Sequence, residues 1–206
     1  MKRATLVIFA AIALLLAAAS QAYADGITYT ETDSSVTGTI GAMTFTDAPV
    51  TVTFVGDTST VMPGPAPCPN FAVSPCNQVG TATITIGGLG TFTFTDQMEA
   101  FVNQTLSPTA AAGIADVTQS LTVALVTFNS AFATYDLTTA IGPLTGSSQL
   151  PGSGTFNPGA NTTGGVLTFT NDSGTSTFTA TTPEPGSLLL LGMGLSGLAM
   201  FRRRLP

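Results

Sequence analysis

Apolar and polar residues alternate with period two through most of the middle of the chain. Runs such as Val50-Thr51-Val52-Thr53-Phe54, Thr81-Ala82-Thr83-Ile84-Thr85-Ile86, Thr91-Phe92-Thr93-Phe94-Thr95 and Val166-Leu167-Thr168-Phe169-Thr170 set the pattern. In a strand they put apolar side chains on one face and threonines on the other. Threonine suits a solvated strand face because its β-branch favours extended backbone while its hydroxyl meets water. Turn residues punctuate the runs at Gly41, Asp47-Ala48-Pro49, Gly56-Asp57, Gly87-Gly88, Asn157-Pro158-Gly159 and Asn171-Asp172-Ser173-Gly174. About ten strands fit between them, which predicts an all-β domain, an antiparallel β-sandwich of jelly-roll-like kind. A β-solenoid would need a fixed repeat period, and the chain has none. Asp96-Gln97-Met98-Glu99 has the Asp-x-x-Glu form of a helix start, yet Met98, Ala100 and Val102 alternate as in a strand, so both readings stand. The proline-rich stretch from Val61 to Pro75 and the Gly, Pro, Ser and Asn-rich stretch from Gly142 to Gly165 read as loops.

Both ends break the alternation. Met1-Lys2-Arg3 is a positive n-region, Ala4 to Ala19 an apolar h-region, and Ala22-Tyr23-Ala24 a small-x-small cleavage site. In that order they make a secretory signal peptide over residues 1–24, cut after Ala24. A second apolar run, Gly186 to Phe201, carries no charge and is followed by Arg202, Arg203 and Arg204. As a helix it reaches ~24 Å, slightly short of a hydrocarbon core, and spans if Pro185 and the arginine stems share the interface. Positive charge stays on the cytoplasmic side, so these arginines predict a single C-terminal transmembrane helix with residues 25–182 outside.

Pro183-Glu184-Pro185 stands directly before that helix. The prolines deny helix or strand to the membrane boundary and leave an extended segment accessible to a processing enzyme. Pro-Glu-Pro, a Gly/Leu-rich helix and a terminal arginine cluster, in fixed order over residues 183–206, resemble the PEP-CTERM sorting signal of Gram-negative bacteria. The resemblance implies recognition by an exosortase, a membrane-embedded transpeptidase-like enzyme, which would cut near the motif and pass the outer domain to the cell surface or exopolysaccharide matrix. Leu150-Pro151-Gly152-Ser153-Gly154 has the form of a Gram-positive sorting signal, but Thr-Phe-Asn-Pro follows it instead of an apolar tail, and it reads as a loop.

Charge is the remaining clue. All five basic residues are at the two ends, the chain has no His, and ten of the eleven acids lie in residues 25–182. That region therefore has no imidazole base, lysine nucleophile or arginine clamp, and a catalytic role is not expected of it. Carboxylate chemistry is what remains, with Asp57-Thr58-Ser59 and Asp172-Ser173-Gly174 as the candidate acid pair of a hydrolase. A polyanion without basic side chains avoids nucleic acid. Cys68 and Cys76 are expected to form a disulfide in an exported chain, and without His they do not suggest a metal site. No cofactor is expected. The expected partners are the exosortase, the membrane through the C-terminal helix, and extracellular polysaccharide. A carbohydrate- or calcium-binding surface module is the alternative, with Tyr29 and Tyr135 as the only sugar-stacking candidates outside the signal peptide.

Overall fold

The computed structural model describes residues 26–63, 68, 75–106, 108–118, 124–148 and 159–183. Thirteen strands run in chain order: β1 (Gly26–Ile40), β2 (Met43–Asp57), β3 (Val61–Met62), β4 (Cys76–Asn77), β5 (Gly80–Ile86), β6 (Gly90–Thr93), β7 (Met98–Asn103), β8 (Ala111–Asp116), β9 (Ala124–Phe128), β10 (Ile141–Ser148), β11 (Ala160–Thr162), β12 (Gly165–Asn171) and β13 (Thr175–Thr181). Every pairing is antiparallel. The order is β3-β4-β7-β8-β9-β10-β13-β1-β2-β5-β6, with β12 on β1 and β11 on β12.

The strands therefore join in one sheet, and three devices fold it over. β1 and β2 are 15 residues each, far longer than the usual strand. β1 shifts register between Asp33 and Val36 and between Val36 and Gly38, and such bulges bend a strand and sharpen its twist. Beyond the bulges β1 changes partner, from β13 over Thr28–Asp33 to β12 over Thr37–Ile40. At the far side, a bridge from Phe94 to Thr162 and the bonds Thr95 N–H to Asn161 O and Thr163 N–H to Thr93 O, both 2.9 Å, link the β6 end to β11. The pairing path β1-β2-β5-β6-β11-β12 thus returns to β1, leaving little open edge.

The alternating positions become the core. Ile27, Tyr29, Val50, Val52, Phe54, Ile84, Ile86, Leu167, Phe169 and Phe178 are buried on the inner face. Phe132, Tyr135 and Tyr29 meet Phe178 at centroid distances of 5.4 to 6.3 Å, a range that favours edge and offset contacts. β7 and β8 do not alternate because both their faces are buried. Met98, Ala100, Val102, Ala112 and Ile114 join the main core, while Phe101, Ala111 and Ala115 join Cys68, Cys76 and Val126 in a second cluster.

The structure resolves the Asp96–Glu99 ambiguity in favour of a strand, since Met98 begins β7. It corrects the loop expected from Gly142 to Gly165, which contains most of β10 and all of β11. The glycines misled: a Cβ at Gly146 would collide with the carbonyl oxygen of Phe128, so this glycine marks a strand crossing close to another backbone, not a turn. Val61 and Met62, at the start of the other expected loop, form β3. Among the described residues no helix is long and apolar enough to cross a membrane. The signal peptide expected over residues 1–24, with its cleavage site at Ala22 and Ala24, and the span expected over residues 186–201 lie outside the described residues.

Candidate functional site

The β domain hands over to the sorting segment at β13. Thr181 pairs with Thr28 of β1, and the exposed Thr182 and Pro183 follow at once. β1 starts at Gly26, two residues beyond Ala24. The two ends of the domain therefore lie side by side on neighbouring strands. The other residues expected in the sorting and topology signals, Glu184, Pro185, Arg202, Arg203 and Arg204, lie outside the described residues.

The expected disulfide is present. Cys68 and Cys76 are joined with Cα atoms 5.9 Å apart, and both are buried. Cys76 pairs with Met62 on one side and Phe101 on the other, so the bridge ties Cys68 to β4, next to the end strand β3 of the sheet.

The candidate acid pair is not brought together. Asp57 lies opposite Gly26, whereas Asn171, the neighbour of Asp172, lies opposite Thr37. Eleven residues of β1 separate these positions, about 35 Å of strand. Each carboxylate has a local task instead. Asp57 accepts from the Ser59 N–H (2.7 Å) and hydroxyl (2.6 Å), bonds that hold its carboxyl below the usual value. Asp172 accepts from the Ser148 hydroxyl and the Gly174 N–H, at 2.9 and 3.1 Å. Tyr29 and Tyr135 are also not available for stacking: both are buried. Their hydroxyls donate to the carbonyls of Leu137 (2.6 Å) and Thr139 (2.9 Å). Burial raises both phenols, Tyr29 to about 12.

Other carboxylates were missed by sequence reasoning. Glu31 and Asp33 share the parity of Ile27 and Tyr29, and this was the available signal that they turn inward. Both are buried. Thr127 of β9 donates to Glu31 Oε1 (2.9 Å) and lies 2.6 Å from the Ser176 hydroxyl of β13, which contacts the Val126 carbonyl at 3.1 Å. Among the described residues Glu31 Oε2 and Asp33 Oδ2 find no hydrogen-bond partner. Burial drives the Glu31 carboxyl well above its ordinary value, and the nearby Asp33 charge adds to the rise. A second acid pair joins the β6–β7 corner to β8. Asp116, buried, accepts from the Thr118 N–H (2.7 Å) and hydroxyl (2.6 Å). Burial raises its carboxyl, as does Asp96 beside it. Asp96 in turn accepts from the Asn161 backbone at 2.7 Å. Among the described residues no three of His, Cys, Asp and Glu gather in a metal-binding arrangement.

The opposite face of the sheet is uniform. Thr145, Thr177, Thr32, Thr51, Thr85 and Thr91 lie in register across β10, β13, β1, β2, β5 and β6. A parallel row runs through Thr179, Thr30, Thr53, Thr83 and Thr93. A half-open hollow of about 290 Å³ interrupts the first row, lined by five threonines of β1, β2, β10 and β13 together with Asp33, Ser34, Pro49 and Val50.

Comparison with known proteins bears on the C-terminal end alone. Residues 181–204 match the family described as the PEP-CTERM protein-sorting motif. No curated protein and no solved structure matches the chain. The motif implies export across a membrane, processing by an exosortase and sorting to the cell envelope; the match starts at Thr181, the last residue of β13, and does not extend over the rest of the sheet.

Proposed function

We propose that this chain is an exported, non-catalytic protein of the cell surface or extracellular matrix, associated with exopolysaccharide, whose anchoring tail is removed by an exosortase. The observation that carries the reading is the sorting motif at the C-terminus. Thr182 and Pro183, which follow the end of β13, are exposed, which supports access of a processing enzyme to the start of the motif. The apolar run before Arg202, Arg203 and Arg204 holds the outer domain on the periplasmic side until that cut, because the arginines resist translocation.

A non-catalytic role is supported by the composition. Between Ala4 and Phe201 there is no Lys, Arg or His, and Asp57 and Asp172, the candidate acid pair, lie by β1 positions far apart along that strand. Replacing Pro183, Glu184 and Pro185 together by alanine tests the sorting reading. The expected result is a longer species held in the membrane fraction while the unaltered protein reaches the cell surface or medium. If both forms are released equally, processing does not depend on this motif and the proposal falls.

A further inference from the structure

We infer that the threonine face of the sheet binds a chain of neutral polysaccharide, laid across the strands along the row Thr145, Thr177, Thr32, Thr51, Thr85 and Thr91. Register places these side chains on one face of six consecutive strands, about 4.8 Å apart from strand to strand. The row therefore offers a hydroxyl and a methyl at each step of a line perpendicular to the strands. Where Thr145 meets Thr177, and Thr85 meets Thr91, the hydroxyls approach to 2.9 and 2.8 Å. Each such pair uses one O–H internally and leaves the other, with free lone pairs, for a ligand. The hollow of about 290 Å³ at Thr32, Thr51, Thr145, Thr175 and Thr177 gives the row a concave seat, the shape that small-ligand and glycan sites share.

Charge selects the class of polymer. The row itself consists of threonines; Glu31 turns into the core, and Asp33, also buried, is the one charged residue among those lining the hollow. The chain carries a formal charge of −6, with no basic residue from Ala4 to Phe201, so an anionic polymer is repelled and finds no counter-charge. A neutral polyhydroxylated chain meets neither obstacle. Aromatic stacking takes no part, since Tyr29, Phe54 and Phe178 all point inward. Each sugar is then held by hydrogen bonds of modest strength, and affinity accumulates along the polymer. Polymers bind measurably and monosaccharides do not.

The inference deepens the matrix reading above by naming where a polymer would lie. Sorting and binding fail separately: a correctly processed protein without polysaccharide affinity removes the site and leaves the sorting intact. The test is affinity electrophoresis of the protein purified from cells producing the full chain, in native gels containing dextran, laminarin, galactomannan or hydroxyethyl cellulose, with alginate as the anionic comparison. Retardation by at least one neutral polymer and none by alginate is expected. The triple substitution Thr32→Val, Thr51→Val and Thr177→Val keeps the β-branched shape, removes three hydroxyls and is expected to weaken retardation at least about tenfold. Thr145→Glu, at an exposed position on the rim, introduces one charge without touching the core and is expected to do the same. The inference is overturned if no neutral polymer retards the protein, if alginate alone does, or if the Thr145→Glu protein migrates as the unaltered one.

Discussion

At the residue scale, two buried positions show how little freedom the inner face has. Glu31 sits where alternation demands an apolar side chain, and its neighbours are Asp33, Thr127, Ser176 and the Ile114 backbone. No cation exists in residues 26–183 to neutralise it. Its folded-state pKa lies above the unfolded value. The stability it contributes is therefore complete below the unfolded carboxyl pKa, about 4.3, and is lost as pH rises through the folded value. The domain is expected to melt at a lower temperature at pH 8 than at pH 5. Glu31→Gln, which cannot ionise, is expected to flatten that slope and to melt higher at pH 8, as read by calorimetry; an unchanged slope would show that Glu31 is not the group responsible. Gly38 is constrained by space. A Cβ there would strike the Thr168 carbonyl oxygen and come within 2.8 Å of the Phe45 ring, at the point where β1 leaves β13 for β12. Gly38→Ala is expected to cost about 1–3 kcal/mol in a denaturant titration, the usual range for overpacking, while Gly88→Ala, whose Cβ meets nothing within 4 Å but whose φ is +82°, tests left-handed strain without a clash.

At the element scale, the threonine-alternating runs were legible from sequence because the period of two is a direct image of a half-solvated strand. Val50–Phe54, Thr81–Ile86 and Leu167–Phe169 all face inward and outward as that pattern requires. β7 and β8 were less legible, because burial on both faces erases alternation, and β10 was missed because its Gly146 serves a close backbone approach. The short β3 and β4 have two residues each, too few for any pattern, and depend on the Cys68–Cys76 bridge and their neighbours in the sheet. With a sequence separation of 8, the closed loop is short, and losing the bridge is expected to cost about 2–3 kcal/mol. Substitution of both cysteines by serine should lower the denaturant midpoint accordingly, and an unchanged midpoint would mean that the sheet alone holds this corner. The inward carboxylates illustrate the same limit from the other side. Parity marks Glu31 and Asp33 as core residues, yet the hydroxyl that receives Glu31 comes from Thr127 of β9, 96 residues away, itself bonded to Ser176 of β13, and no local pattern announces them.

At the scale of the whole molecule, the sequence is most explicit about transport. The expected signal peptide, the apolar run, the arginine cluster and Pro-Glu-Pro are linear features, readable without tertiary contacts, and the match over residues 181–204 covers the last three. The β domain is less explicit, since its threonine rows exist only after the strands align in register. Register also places Gly26 and Thr181 at the same end of adjacent strands, so the segments on both sides of the domain begin close together. Sorting is tested most directly by the C-terminal residue of the protein recovered from the surface or medium of its own cells, fixed by intact mass and C-terminal peptide mapping. A chain ending at or near Pro183 to Pro185, without Arg202, Arg203 and Arg204, is the predicted result. An intact arginine tail on that recovered protein would contradict it.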